Sequence, residues 1–217
     1  MQDWILKRLS EFVGRGDRKK LGPHTENRLV AQSMGSHSSY RVARKATCLG
    51  KGLVVTEAGV IPDYPGIRRV YHLTNAITKY YYSPFYLETE VPGYHVRVAW
   101  LGGREVAFTP DGRYCAFSSD RASEFIPRAF FKEHPDLIVC LAIAGDGIPY
   151  IAPSCNENGG DLVAWGTEIF QCGVREPLAT RERYALFDKF EIKNVPRIGP
   201  LDAEDISKIT DWMRSLD

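Results

Sequence analysis

The side chains that could act as nucleophiles or as acid–base groups are scattered along this sequence. His72, His95 and His134 stand in no motif that joins a histidine to a nucleophilic serine or cysteine. The pairs Gly102-Gly103 and Gly159-Gly160 are more typical of turns than of a phosphate-binding loop, and no Walker-type or dinucleotide-binding motif is present. The sequence therefore gives little support to a hydrolase or a dehydrogenase.

The five cysteines are widely spaced and form no CxxC pair, which favours reduced structural thiols over a zinc site or a redox couple. Lysine and arginine number 28 against 27 aspartates and glutamates, so any contact with a nucleic acid requires a local basic patch. No signal-peptide core is present, and no run approaches the roughly 18 apolar residues of a membrane span. These features predict a cytoplasmic protein without a membrane partner.

Between residues 40 and 151 the chain consists of short β-branched and aromatic runs that are cut by glycine and proline. Their length and alternation predict strands that are joined by hairpin turns, with Leu101-Gly102-Gly103 and Pro110-Asp111-Gly112 as turn sequences. The predicted strands are GLVVTEAGVI, RRVYHL, PFYLETE, YHVRVAWL, REVAFT, RYCAFS and LIVCLAIAG. They indicate a mainly antiparallel sheet protein.

Helical periodicity is present at both ends of the chain and between the strands. Ile5, Leu9 and Phe12 predict an N-terminal helix, which is followed by a polar linker up to Ser39. Further helices are predicted over 122–134, 180–190 and 202–216, the last with Asp202 and Asp205 as an N-terminal capping pair. The sequence therefore predicts an α+β architecture with an N-terminal segment, 1–39, and one domain, 40–217.

The run from Glu88 to Arg97, ETEVPGYHVR, resembles the nucleotidyltransferase motif of archaeal-type ATP-dependent RNA ligases. In that family a lysine, any residue, an acidic or amide residue and a glycine are followed by tyrosine, a polar residue, valine and arginine. Upstream lie a basic and apolar run, GIRRV, and an aromatic approach, PFY, in the family's order.

The similarity continues downstream in the same order. A predicted helix that contains FFKEHPDL precedes LAIAG and then Pro149-Tyr150, where the family has a strand with glycine, glutamate, an apolar residue, alanine and glycine. Arg183-Tyr184 and a final helix with Trp212 follow. The resemblance covers about Tyr40 to Leu216. It implies a DNA/RNA ligase-like nucleotidyltransferase domain, unrelated to the ATP-grasp fold and incomplete at its C-terminus, because the family's later glutamate and lysine motifs are not reached.

The resemblance also implies that the ligase chemistry is lost. The family forms a lysyl-adenylate when the lysine amine attacks the α-phosphorus of ATP, and Glu90 stands at that lysine position. Pro92 replaces the aspartate or asparagine of the motif, and Leu141-Ala142 replaces the glycine and glutamate of the third motif. We therefore expect no catalytic residue, no metal ligand and no resident cofactor.

Four residues keep the family's pattern and are predicted to contact a nucleotide: Gly93, Tyr94, Arg97 and Glu168. A framework role for Arg97, paired with a local carboxylate, is the alternative. We also expect Glu90 to face a cleft that is lined by Arg97 and by the strand with Ala142.

Three functions remain open at this point. The first is a non-catalytic protein that binds a nucleotide, RNA, a related ligase chain or a second copy of itself. The second is an ATP-dependent and magnesium-dependent RNA ligase that uses altered residues or is completed by another chain. The third is a poorly folding fragment, since the sheet would lack later strands. We further expect an exposed apolar edge near the final helix.

Overall fold

The computed structural model describes the chain in several stretches that are separated by gaps. The described residues are 7–8, 11, 29–34, 37–42, 53–56, 58–62, 85–89, 91, 93–110, 112, 114–145, 162–174, 176–202 and 205–215. Their contacts divide the chain into two compact units. The larger unit comprises 1–64 and 92–194, and the smaller unit comprises 65–91 and 195–217.

The described part of the larger unit contains two four-stranded antiparallel sheets as well as helices. The first sheet has its strands in sequence order, β1-β2-β3-β4, and the second has the order β7-β6-β8-β9. The strands of the first sheet are β1 (Leu29–Met34), β2 (His37–Val42), β3 (Val54–Thr56) and β4 (Gly59–Ile61). Those of the second are β6 (Tyr94–Leu101), β7 (Arg104–Phe108), β8 (Leu137–Gly145) and β9 (Leu162–Gln171).

The central strand β8 is apolar along nearly its whole length because both of its faces are covered. Its first seven residues are all buried, which is the continuous pattern of a strand with a packed layer on either side. One face belongs to a core that also includes residues of the first sheet, and this core consists of Val54, Ile61, Ala99, Val106, Phe108, Ile138, Cys140 and Phe170. The two sheets of the larger unit thus share one hydrophobic core.

Between residues 114 and 202, the described helices of the larger unit are α1 (Ala116–Phe125), α2 (Arg128–Glu133) and α3 (Thr180–Lys189). The sequence predicts one helix over 122–134. The structure has two helices there, because Pro127 has no N–H and forces Ile126 into an extended conformation, which ends α1 before α2 begins. The strand predicted at RYCAFS is also wrong. There, Tyr114 forms a single bridge to Phe108, and α1 begins at Ala116.

The polar segment that is predicted as a linker up to Ser39 contains β1 and the first half of β2. Here the prediction is wrong, because His37, Ser38 and Ser39 pair with Thr56, Val55 and Val54 of β3. This long-range pairing outweighs the low strand propensity of the serines. Lys7, Arg8 and Glu11 are helical, in agreement with the predicted N-terminal helix. The strand predicted at RRVYHL lies outside the described residues.

The described residues of the smaller unit form β5 (Phe85–Glu88), β10 (Arg197–Leu201) and α4 (Ile206–Arg214). The two strands are antiparallel, and Phe85, Leu201 and Ile209 form a small core between them and the helix.

The predicted capping pair is present, since the Asp205 carboxylate accepts a hydrogen bond from the Asp202 N–H at 3.0 Å. That hydrogen bond and the neighbouring Lys208 lower the pKa of Asp205. The α+β class with mainly antiparallel sheets is confirmed.

Candidate functional site

The second sheet of the larger unit carries polar side chains in register across three strands. Arg97 of β6 pairs with Cys140 of β8, and Cys140 pairs with Glu168 of β9. Directly paired residues of antiparallel strands project to the same side, so all three belong to one face of the sheet. We call this face the Arg97 face.

A second row of side chains lies next to the first on the Arg97 face. It consists of His95, Ala142 and Trp165, which pair across β6, β8 and β9. Ala142 is fully buried, whereas His95 and Trp165 are half-buried. The ammonium group of Lys193 lies 4.8 Å from the centre of the Trp165 ring.

Arg97 is almost completely buried, with 1% of its surface exposed. Its guanidinium group donates hydrogen bonds to the backbone carbonyls of Pro62 and Thr109, the latter at 2.9 Å. These carbonyls follow β4 and β7, so one side chain ties the ends of two strands in different sheets to β6. Both of these hydrogen bonds go to backbone oxygens, which supports a framework role for Arg97.

The strand β9 has a β-bulge immediately before Glu168. The register between β8 and β9 shifts between Cys140 and Leu141, so Thr167 is the additional residue of a β-bulge. The Thr167 hydroxyl donates to the Cys140 carbonyl at 3.3 Å. Glu168 then pairs with Arg183 of α3, with 3.0 Å between Nη1 and Oε2.

Cys140 lies between Arg97 and Glu168 in the sheet and is fully buried. Burial raises the pKa of its thiol, and the charges of Arg97, Glu168 and Arg183 act on it more weakly. A thiol in this environment stays protonated and is a poor nucleophile. Cys115, Cys140 and Cys172 are free thiols, as the sequence predicts; Cys48 and Cys155 lie outside the described residues.

The fold is similar to those of solved ligase structures. Form 1 of an archaeal ATP-dependent RNA ligase has a TM-score of 0.76 and 27% identity, and the match covers 96% of this chain and 57% of the ligase. A second form gives a TM-score of 0.70 and 29% identity over 97% of this chain and 54% of the ligase. The chain has an RNA ligase-like nucleotidyltransferase fold.

A candidate ATP-dependent DNA ligase from Aquifex aeolicus shares the fold of this ligase-like chain. Its TM-score is 0.73 at 24% identity, over 88% of this chain and 53% of that protein. The chain thus spans a little over half the length of each of these proteins. No family model matches the sequence, and no curated protein matches it either.

The ligase-like fold brings together some of the residues that the motifs single out. Arg97, Glu168 and Ala142 share one face, whereas Tyr94 points to the opposite face because it is three residues from Arg97 on the same strand. Gly93 is needed for a close approach, since a Cβ there would lie 2.8 Å from the Ile143 carbonyl oxygen. Glu90 and Pro92 lie outside the described residues, and the nucleotide-binding roles stay predictions.

The structural role of Arg183 is not evident from the sequence motifs, where Arg183-Tyr184 only continues the family's order. In the structure, Arg183 is buried and pairs with Glu168. An arginine within an otherwise apolar helical stripe is the signal that could have identified it, because buried arginines require a partner.

Two absences apply to the described stretches of the chain. Among those residues, no group of three or more histidine, cysteine, aspartate or glutamate side chains is placed to hold a metal ion. Within the same stretches, no helix is both long and apolar enough to cross a membrane.

Proposed function

We propose that this chain is a degenerate RNA ligase-like protein that contacts a nucleotide or an RNA end through the Arg97 face and does not ligate RNA unaided. The observation that carries the proposal is Ala142. It is fully buried on β8 between His95 and Trp165, and a methyl group stands where the family's third motif has a glutamate.

The sequence adds a second reason at the position of the nucleophile. Adenylation requires an amine that attacks the α-phosphorus of ATP while pyrophosphate leaves. Glu90 occupies that position, and its carboxylate repels the incoming phosphates. Metal binding needs oxygen ligands, which Ala142 does not supply. The proposal therefore includes no resident cofactor, a cytoplasmic location, and RNA, a related ligase chain or a second copy as partner.

An active ATP-dependent RNA ligase is the second candidate, either with altered residues or completed by another chain. One observation favours it: Glu168 still presents a carboxylate on the same face as Ala142, held by Arg183. In that case ATP and magnesium would be required, and the missing amine would come from a residue other than Glu90.

Incubation with labelled ATP distinguishes the non-catalytic protein from the active ligase. Incubated with ATP labelled at the α-phosphate and with magnesium, the purified chain is expected to form no acid-stable covalent adenylate. The variant Glu90→Lys is also expected to form none, because Ala142 and Pro92 remain and such groups act as a coupled unit.

An archaeal ATP-dependent RNA ligase treated in parallel serves as the positive control. A labelled adenylate on the unmodified chain would contradict the proposal and establish the active-ligase alternative. Mapping the labelled residue by mass spectrometry would then identify the nucleophile.

A further inference from the structure

Arg183 is the most deeply buried charged residue of α3. Only 3% of its side chain is exposed, and its guanidinium group donates to the Thr167 carbonyl as well as pairing with Glu168. The guanidinium carbon also lies 4.6 Å from the centre of the Tyr184 ring. Because arginine keeps its proton even when buried, its charge has to be compensated, and the Glu168 carboxylate provides that compensation.

The packing of α3 against β9 fixes the position of Arg183. A Cβ at Gly166 would lie 2.7 Å from Cζ of Phe187, so only a glycine allows the Phe187 ring to lie on the strand. The Gly166 N–H donates to the Lys193 carbonyl and so attaches the segment after α3 to the edge of β9. Arg183 lies one helical turn before Phe187 and therefore reaches the bulge at Thr167.

Glu168 differs from its partner in its accessibility. Its side chain is 29% exposed, whereas that of Arg183 is 3% exposed. The ion pair therefore has one buried cationic end and one carboxylate end that a ligand can reach. A carboxylate accepts hydrogen bonds and repels phosphate, so its partner on a nucleotide is the nucleoside part, whose ribose carries hydroxyl donors.

We propose that Arg183 is a positioning residue that orients the Glu168 carboxylate on the Arg97 face, so that it accepts hydrogen bonds from the hydroxyl groups of a bound nucleotide. This inference rests on the proposed nucleotide contact. It assigns a role to a residue of α3 that itself lies beneath the surface and does not touch the ligand.

The test is a double-mutant cycle on the full chain, with AMP as the probe and EDTA present so that no metal bridges carboxylate and phosphate. The affinity is measured by calorimetry for the wild type, Glu168→Gln, Arg183→Lys and the double variant. Hydrogen bonds to charged groups are strong enough that Glu168→Gln is expected to weaken binding about tenfold or more.

The cycle distinguishes positioning from a general structural role. If Arg183 acts through Glu168, Arg183→Lys weakens AMP binding in the wild type and has no further effect in the Glu168→Gln background. Loss of general stability would weaken binding equally in both backgrounds. Arg181→Lys, at an exposed position of the same helix, is the matched control and should leave the affinity unchanged.

Each negative result has a separate meaning. Absence of AMP binding by the folded wild type would overturn the proposed nucleotide contact together with this inference. Binding that is unaffected by Glu168→Gln, unaffected by Arg183→Lys, or weakened equally by Arg183→Lys in both backgrounds would overturn the positioning role alone. Circular dichroism of each variant checks that the fold is retained. If Arg183→Lys unfolds, Glu168→Gln still tests the contact between Glu168 and AMP, because the Glu168 side chain is partly exposed.

Discussion

At the scale of single residues, the hydrogen bonds of Arg97 indicate a structural role. Its guanidinium group is buried and donates to the carbonyls of Pro62 and Thr109. In Arg97→Met the side chain keeps much of its volume, but both carbonyls lose a donor, and an unsatisfied buried polar group costs about 1–3 kcal/mol. We therefore expect the free energy of unfolding to fall by about 3 kcal/mol in urea titrations.

Arg104→Met is the matched control for this prediction, because Arg104 is an exposed residue at the start of β7. Surface substitutions usually change stability by no more than about 0.5 kcal/mol. If the two variants were equally stable, the Arg97 hydrogen bonds would not be structural, and the nucleotide-binding interpretation would gain support.

At the scale of elements, the contact between β9 and α3 depends on one missing side chain. A Cβ at Gly166 would lie 2.7 Å and 2.8 Å from two ring atoms of Phe187. Because overpacking a well-packed core typically costs about 1–3 kcal/mol, Gly166→Ala is expected to lower the unfolding free energy by about 2 kcal/mol.

The second-site variant Phe187→Leu tests the cause of that loss. Leucine removes the ring atoms that the new methyl group meets, so Gly166→Ala should cost less in the Phe187→Leu background than in the wild type. An equal cost in both backgrounds would indicate that backbone freedom at Gly166, and not the contact with Phe187, is responsible.

An element can be predicted from the sequence when the signals that form it lie within its own residues. The strands β6 and β8 and the hairpin turn at Gly102-Gly103 are evident in the sequence, because alternation, a long apolar run and two adjacent glycines are local signals. The strands β1 and β2 are not evident, because serine, histidine and glutamine interrupt their apolar residues and β2 is completed by its pairing with β3. The site shows the same division: the motif identifies Arg97 and Glu168, but the pairing of Glu168 with Arg183 depends on how α3 packs.

At the scale of the molecule, the two compact units differ in the size of the core that their described residues form. In the larger unit, β8 lies between β6 and β9 and contributes Ile138 and Cys140 to a core of eight buried residues. In the smaller unit, β5 pairs with β10, and the core is formed by Phe85, Leu201 and Ile209. Because burial of apolar surface is the main source of stability, the smaller unit should open more readily.

Native-state hydrogen exchange measures this difference directly. We expect the most protected amides of β8 to have an opening free energy at least about 2 kcal/mol above that of the most protected amides of β5 and β10, which is roughly a thirtyfold difference in exchange rate. The Gly102 and Gly103 amides, at the exposed turn between β6 and β7, provide the fast-exchanging control. Equal protection of the two sets would mean that both units unfold in one cooperative step, and the division into a more stable and a less stable unit would be wrong.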